Sequence, residues 1–388
     1  GTIQSPAIGS TLNVVVTNRD GQTSQKSYTL PASWDDLDSD SDGLLDRWED
    51  GIYTATGGGT VNLAAMGTDK YNKDILMEAD WIAAAAPGSA GVGYDNTIWD
   101  IHEAFFANSP VLNPDGSSGI NVITDFGQGG QFTGGGTVLP DHGRMSYGPC
   151  PQRWWDGQNW QWEVPPPCND YVDFMTYRNS SFASERNGLF HYLVLGRATG
   201  SGGAGGQAQF PFDPPSISCP ACGGDNLYVS IPWYPSAWFA AVIAHEMGHD
   251  IGLAHGGIWP GPDHQNWKPN FHSIMNYRYT ERGVPPGCDL TGINEANYQG
   301  GGPSTFSSGI LRTINENFVD ETLGVCDNSP SDLSGDGNIT AGSMNIPGAT
   351  YTDRDTIHAD YNQWGNVVLD FAACWPNSQG LVRRATCN

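Results

Sequence analysis

The chain has 388 residues, with 17 Lys and Arg against 42 Asp and Glu, for a net charge of −25 at pH 7. So strong an acidic excess repels nucleic acid and anionic membrane surfaces, and neither is expected as a partner. Charged residues make up only 15% while Gly numbers 51 and Trp 14, which describes a loop-rich, aromatic-rich globular chain and not a disordered one.

The length allows one large domain or two smaller ones. Residues 1–34 carry one hairpin, with strands at Leu12–Thr17 and Lys26–Leu30 and Asp20-Gly21 as the turn. Residues 35–69 form a calcium-loop region. Within it Asp38-Ser39-Asp40-Ser41-Asp42-Gly43-Leu44-Leu45-Asp46-Arg47-Trp48-Glu49 sets oxygen ligands at loop positions 1, 3, 5 and 12 and a glycine at position 6. That pattern suits Ca²⁺, with Asp38, Asp40, Asp42, Asp46 and Glu49 as candidate ligands. No helix signal precedes the loop, which therefore resembles one-helix calcium repeats more than a full helix–loop–helix hand.

From residue 70 the pattern alternates. Strands are expected at Asp74–Trp81, Ile120–Thr124, Leu189–Leu195 and Leu227–Ile231, and helices at Asn96–Asn108 and Tyr171–Phe182. A short edge strand is expected between Gly206 and Phe210. Pro235-Ser236 opens a further helix, with Ser236 as its cap. Four tryptophans (Trp154, Trp155, Trp160 and Trp162) lie between Cys150 and Cys168; they read as a local cluster stabilising a long insertion, with a surface for substrate, glycan or proline-rich chains as the alternative. In the C-terminal part, Asp332, Ser334 and Asp336 repeat the loop spacing, but Ser343 at position 12 offers no carboxylate. A second Ca²⁺ there would need completing from elsewhere, with Asp353 or Asp355 as candidates.

The eight cysteines show no repeated zinc-finger spacing and imply disulfides, hence an oxidising, extracellular setting. Spacing alone leaves the pairing open; nearest-neighbour closure, with the smallest loops, gives 150–168, 219–222, 288–326 and 374–387. No apolar run is long enough to span a bilayer. No signal segment is visible and Gly1 is not a start methionine, so the sequence reads as a mature, processed form.

The chemistry concentrates in His245-Glu246-Met247-Gly248-His249-Asp250-Ile251-Gly252-Leu253-Ala254-His255. On a helix, His245 and His249 share one face and can hold a single Zn²⁺. Glu246 lies beside the first ligand as a general base for water. Gly252 permits the turn that brings His255 in as third ligand. Three protein ligands leave a position open, which marks a catalytic site and not a structural one. The other six histidines read as structural.

Downstream stands Ser273-Ile274-Met275-Asn276-Tyr277. Together with the extended histidine motif this methionine element resembles the metzincin clan of zinc endopeptidases. The resemblance is tight over residues 245–277 and architectural over about residues 70–244. It implies an α+β fold with a twisted mixed sheet, backing helices and a zinc helix above a cleft, forming a catalytic subdomain over residues 70–256. A loop-rich C-terminal subdomain with the Met turn would occupy residues 257–388. It further implies Tyr277 as a second catalytic residue that stabilises an oxyanion, and Met275 as an apolar floor under the imidazoles. Gly256 follows the third histidine, matching neither the Pro of serralysins nor the Glu of astacins, so no subfamily is assigned. The expected protein is a secreted, monomeric zinc endopeptidase acting on polypeptides. The alternatives are a zinc hydrolase for other amides and a calcium-dependent adhesion protein with an inactive protease core.

Overall fold

The computed structural model describes residues 11–17, 23–29, 33, 35, 37–83, 96–141, 144–146, 153–155, 160–162, 171–196, 205–209, 225–230, 235–258, 266–280, 283–285, 304–326, 329–334, 336–343 and 357–369. Strands β1 (Thr11–Thr17) and β2 (Thr23–Thr29) pair antiparallel, with Thr11 opposite Thr29 and Thr17 opposite Thr23. A four-residue helix, α1 (Asp46–Glu49), closes the acidic loop. After it, Ile52–Thr54 pairs antiparallel with Thr60–Asn62. The short helix Leu63–Met66 follows, capped by the Asn62 side chain and ended by Gly67 in the left-handed region at φ 99°.

The centre is a six-stranded mixed sheet. Its strands are β3 (Asp74–Ile82), β4 (Asn121–Asp125), β5 (Val138–Leu139), β6 (Phe190–Leu195), β7 (Gly206–Ala208) and β8 (Asn226–Val229). The order is β7-β8-β6-β3-β4, with β5 also pairing with β3. All neighbours run parallel except β7, which is antiparallel to β8 and forms one edge. Every residue of β3, β6 and β8 is buried, as expected of parallel strands covered on both faces.

Strand period sorts the two faces. Ile75, Met77, Ala79 and Trp81 of β3, with Leu193 and Leu195 of β6, join a core with helix α2 (Thr97–Ala107) and the site-bearing helix Ser236–Asp250. Leu76 and Ile82 of β3, with Phe190, Tyr192 and Val194 of β6, turn the other way. They pack against Leu44, Leu45, Trp48, Tyr53, Leu63 and Met66 and against helix α3 (Phe174–Ser181). The acidic-loop region therefore shares a core with the sheet. The fold is mixed α and β with a central mixed sheet and few helices, consistent with the α+β class.

Two expectations are corrected. Tyr171–Asp173 is a strand and not the first turn of a helix; it pairs parallel with Arg144–Ser146, and the helix starts at Phe174. Ser236 is the first residue inside helix α4 (Ser236–Asp250), and Pro235 occupies the cap position. The Pro235 carbonyl accepts from Trp238 and Phe239, so the backbone opens the helix without a side-chain cap. The backbone of the Trp-rich insertion pairs Arg153–Trp155 antiparallel with Trp160–Trp162. Cys326 is disulfide-bonded; the other seven cysteines, Asp353 and Asp355 lie outside the described residues. Among the described residues, no helix is long and apolar enough to cross a membrane.

Candidate metal centre and catalytic groups

Helix α4 is buried from Phe239 to Asp250, which fixes its rotation and aims His245 and His249 to one side. The helix ends at Ile251, and Gly252 turns the chain at φ 90°, a conformation that a side chain would strain. Leu253–Ala254 then pairs antiparallel with Gly257–Ile258, so His255 stands on the turn of a small hairpin. The sequence suggested the turn at Gly252 but not this hairpin.

The three imidazoles converge through their Nε2 atoms. His255 Nε2 lies 3.0 Å from His249 Nε2 and 3.3 Å from His245 Nε2. His245 Nδ1 donates to the Ile274 carbonyl at 2.7 Å, and His249 Nδ1 donates to the Leu253 carbonyl at 2.8 Å. With those protons on Nδ1, neutral rings carry bare lone pairs on Nε2. A single proton on His255 Nε2 serves only one of its two close contacts well. A tetrahedral ion with nitrogens at 2.0–2.1 Å would separate them by about 3.3 Å, close to what is seen. Burial pushes the His245 imidazole down to about 4 and His249 to about 3, so both are neutral, ligand-competent bases near pH 7. The donor set and its spacing fit a divalent metal ion with an open position.

Glu246 is 5% exposed, and burial pushes its carboxyl well above the usual carboxylate range. Strand β7 passes against it: an ideal Cβ on Gly206 would lie 2.5 Å from Glu246 Cγ and Oε1. Glycine at 206 is what lets the sheet edge approach Glu246 this closely. The strand is anchored on its inner side by β8, and beyond its end the Gln209 N–H donates to Asp250 Oδ1 at 3.2 Å. Asp250 Oδ2 lies 3.2 Å from His191 Nδ1 on β6. The residue that follows the second histidine thus ties the helix to both the edge segment and the sheet.

Met275 is fully buried, and Gly248 on the helix faces it: a Cβ there would collide with the Met275 sulfur. The segment's direct service to the site is the Ile274 carbonyl, which accepts from His245 Nδ1 and, at 2.7 Å, from Thr280 Oγ1. Tyr277 is half exposed, with its ring centroid 4.3 Å from His255 and 5.7 Å from His245. Asn266 holds its backbone by accepting the Tyr277 N–H at 2.8 Å.

Two groups that sequence reasoning did not place lock the hairpin of His255. Buried Lys268 donates from Nζ to the Gly256 carbonyl at 2.5 Å and the Ala359 carbonyl at 2.6 Å. Buried Gln363 donates to the carbonyls of Gly257 at 2.7 Å and Ala254 at 3.1 Å, while its Oε1 accepts from Ser273 at 2.5 Å. One amide therefore joins the hairpin that carries His255 to the segment Ser273–Tyr277.

The acidic loop gathers a second cluster. Asp38, Asp40 and Asp42 bring carboxylate oxygens within 4.8 Å of one another, and Asp42, Glu49 and Asp74 do the same. Burial first, and neighbouring carboxylates with it, push Asp40 up to about 7, Asp42 to about 9 and Glu49 to about 10. Asp46 stays outside both groups; its carboxylate accepts from Ser39 N–H and Ser39 Oγ, each at 2.8 Å. Asp74 had one sequence signal, a carboxylate that opens the strand Asp74–Ile82.

The C-terminal loop is organised differently. Glu321 takes N–H bonds from Leu333, Ser334 and Thr340, and Asp332 accepts from Ser334 Oγ and from the Asp336 and Gly337 N–H groups. Among the described residues, no third carboxylate or imidazole shares metal-ligand reach with Asp332 and Asp336.

Comparison with known proteins adds no assignment to this geometry: no family model matches the chain, and no curated protein matches it.

Proposed function

We propose that the chain is a zinc-dependent endopeptidase of metzincin type that cleaves extracellular polypeptides. The observation that carries this reading is the convergence of the His245, His249 and His255 Nε2 atoms next to Glu246 and beneath a sheet edge. The mixed sheet with one antiparallel edge strand and a buried helix bearing the histidines supports it.

Zinc, when held by the three imidazoles, supplies Lewis acidity and lowers the pKa of its water toward about 7. Glu246 would accept a proton from the attacking water on its carboxylate and return it to the leaving amine. The Glu246 carboxyl, pushed up by burial, would be kept charged by a dication held on the three imidazoles. The side of β7 away from β8, the last strand in the described sheet order, pairs with an extended peptide and lays its carbonyl across the site. Tyr277, half exposed beside His255, donates its hydroxyl to the developing oxyanion. Calcium in the acidic loop supports the fold, and the net charge of −25 leaves nucleic acid outside its partners. The expected form is a secreted monomer.

The metal assignment is tested by elemental analysis of the purified chain and of His249→Ala. About one zinc per chain in the parent and a marked loss in the variant are expected; a parent protein without zinc contradicts the reading. Gly206 gives a sharper check on the base. Gly206→Ala displaces the Glu246 carboxylate and should lower kcat for a peptide substrate by up to about 10²-fold, with zinc content unchanged. An unaltered kcat would show that the edge strand does not position Glu246.

A further inference from the structure

We propose that the acidic loop and strand β3 form one divalent-cation site between them, with Asp74 as the ligand contributed by the sheet. On this view calcium fastens the loop to the reverse side of the sheet that carries the zinc helix. The proposal rests on the calcium reading of the loop and adds to it a ligand 25 residues beyond Glu49 in the chain.

Strand period puts Asp74 there. Ile75, Met77, Ala79 and Trp81 face helix α4, so Asp74 shares the opposite face with Leu76 and Ile82, which pack on Leu44, Leu45 and Trp48. The Asp74 N–H donates to Asp42 Oδ2 at 2.7 Å, docking the loop on the first residue of the strand. The Asp74 carboxylate is held in place by Asn121 Nδ2 at 2.5 Å and the Asp69 N–H at 2.9 Å. Each of its oxygens retains a lone pair for a cation.

The unpartnered atoms point to a ligand. Glu49 is 2% exposed, and neither of its carboxylate oxygens has a hydrogen-bond partner; the same holds for Asp40 Oδ2. Buried acceptors without donors are costly. Here they belong to carboxylates aimed at further carboxylates: once ionised they offer only acceptors to one another, and a cation resolves that arrangement. Asp38, Asp40, Asp42, Glu49 and Asp74 bring five formal negative charges to a site where Asp40, Asp42, Glu49 and Asp74 are each no more than 3% exposed. A purely oxygen donor set with several carboxylates selects calcium over zinc, and over magnesium, which keeps most of its water.

The test titrates Ca²⁺ into the zinc-loaded full chain by calorimetry, for the parent and for Asp74→Asn, with melting temperatures taken with and without Ca²⁺. Asn keeps the volume of Asp and an oxygen for the Asp69 N–H. The expected result has two parts. Asp74→Asn weakens Ca²⁺ binding at least about 10-fold, the loss typical even of groups one shell further out. Without Ca²⁺ the variant melts no lower than the parent, because one mutually repelling carboxylate is gone, while with Ca²⁺ the parent melts higher. Asp42→Asn, which removes the carboxylate common to both groups, should behave the same way. Equal Ca²⁺ affinity in parent and Asp74→Asn would overturn the shared site and leave the loop reading standing. A variant that loses equal stability with and without Ca²⁺, or fails to fold in both, would make Asp74 a structural hydrogen-bond partner only. A parent chain that binds no Ca²⁺ removes the loop reading together with this inference.

Discussion

Glu246→Ala is expected to lower peptide hydrolysis by about 10²–10⁴-fold, the range that a positioned acid–base group contributes, while zinc stays bound. The side chain is buried beside His245 on helix α4 and is not one of the three converging imidazoles. Its loss therefore removes proton transfer without removing a ligand. The effect should fall on kcat, since the carboxylate acts mainly as bonds to the attacking water and the leaving amine change. Circular dichroism and elemental analysis of the variant would separate this outcome from unfolding. A variant with full activity sinks the role of Glu246, and one that loses its zinc shows that the carboxylate supports the metal instead.

The second large effect concerns the acidic loop. Calcium at 100 to 1,000 times its dissociation constant should stabilise the chain by about 3–4 kcal/mol. Its dependence on pH follows from the carboxylates. In the calcium-free protein, Asp40 and Asp74 are pushed up to about 7, Asp42 to about 9 and Glu49 to about 10, all above their unfolded values near 4. Groups raised in the folded state add stability that is full below the unfolded values and disappears as pH rises through the folded ones. Without calcium, the loop should therefore weaken the fold progressively from about pH 5 to pH 9. Calcium requires the deprotonated ligands, so its stabilising effect should grow over that same interval. Melting temperatures across the interval, with and without Ca²⁺ at fixed zinc, give the comparison. A gap between the two curves that narrows as pH rises contradicts the account.

Local pattern carried the parts of the molecule governed by short-range rules. The strands expected at Leu12–Thr17, Lys26–Leu30, Asp74–Trp81 and Leu189–Leu195 and the helical spacing over Asn96–Asn108 correspond, within a few residues, to elements in the structure. The spacing of His245, His249 and His255 brought three nitrogens together, because helix period and one glycine turn suffice for that. Contacts made across long sequence distances were not legible. Gln363 reaches Ala254 over 109 positions and Asn270 reaches His358 over 88, and no local period encodes either. Asp74 joins the acidic loop only because β3 presents its even-numbered residues to that side. The sequence suggested an edge strand from Gly206 onward but not why a glycine stands there; that depends on Glu246, which approaches it only in the folded chain. The strand at Tyr171–Asp173 was missed for the same reason, since its partner Arg144–Ser146 lies 27 residues earlier.

The central claim is that three imidazoles and Glu246 form a zinc peptidase centre. It is tested most directly by digesting unfolded casein with the zinc-loaded chain, with the same chain stripped by chelator, and with the stripped chain after zinc is restored. The account predicts internal cleavage by the first sample, none by the second and recovery in the third. Cleavage that survives complete removal of zinc, or none from a sample shown to hold one zinc per chain, would contradict it.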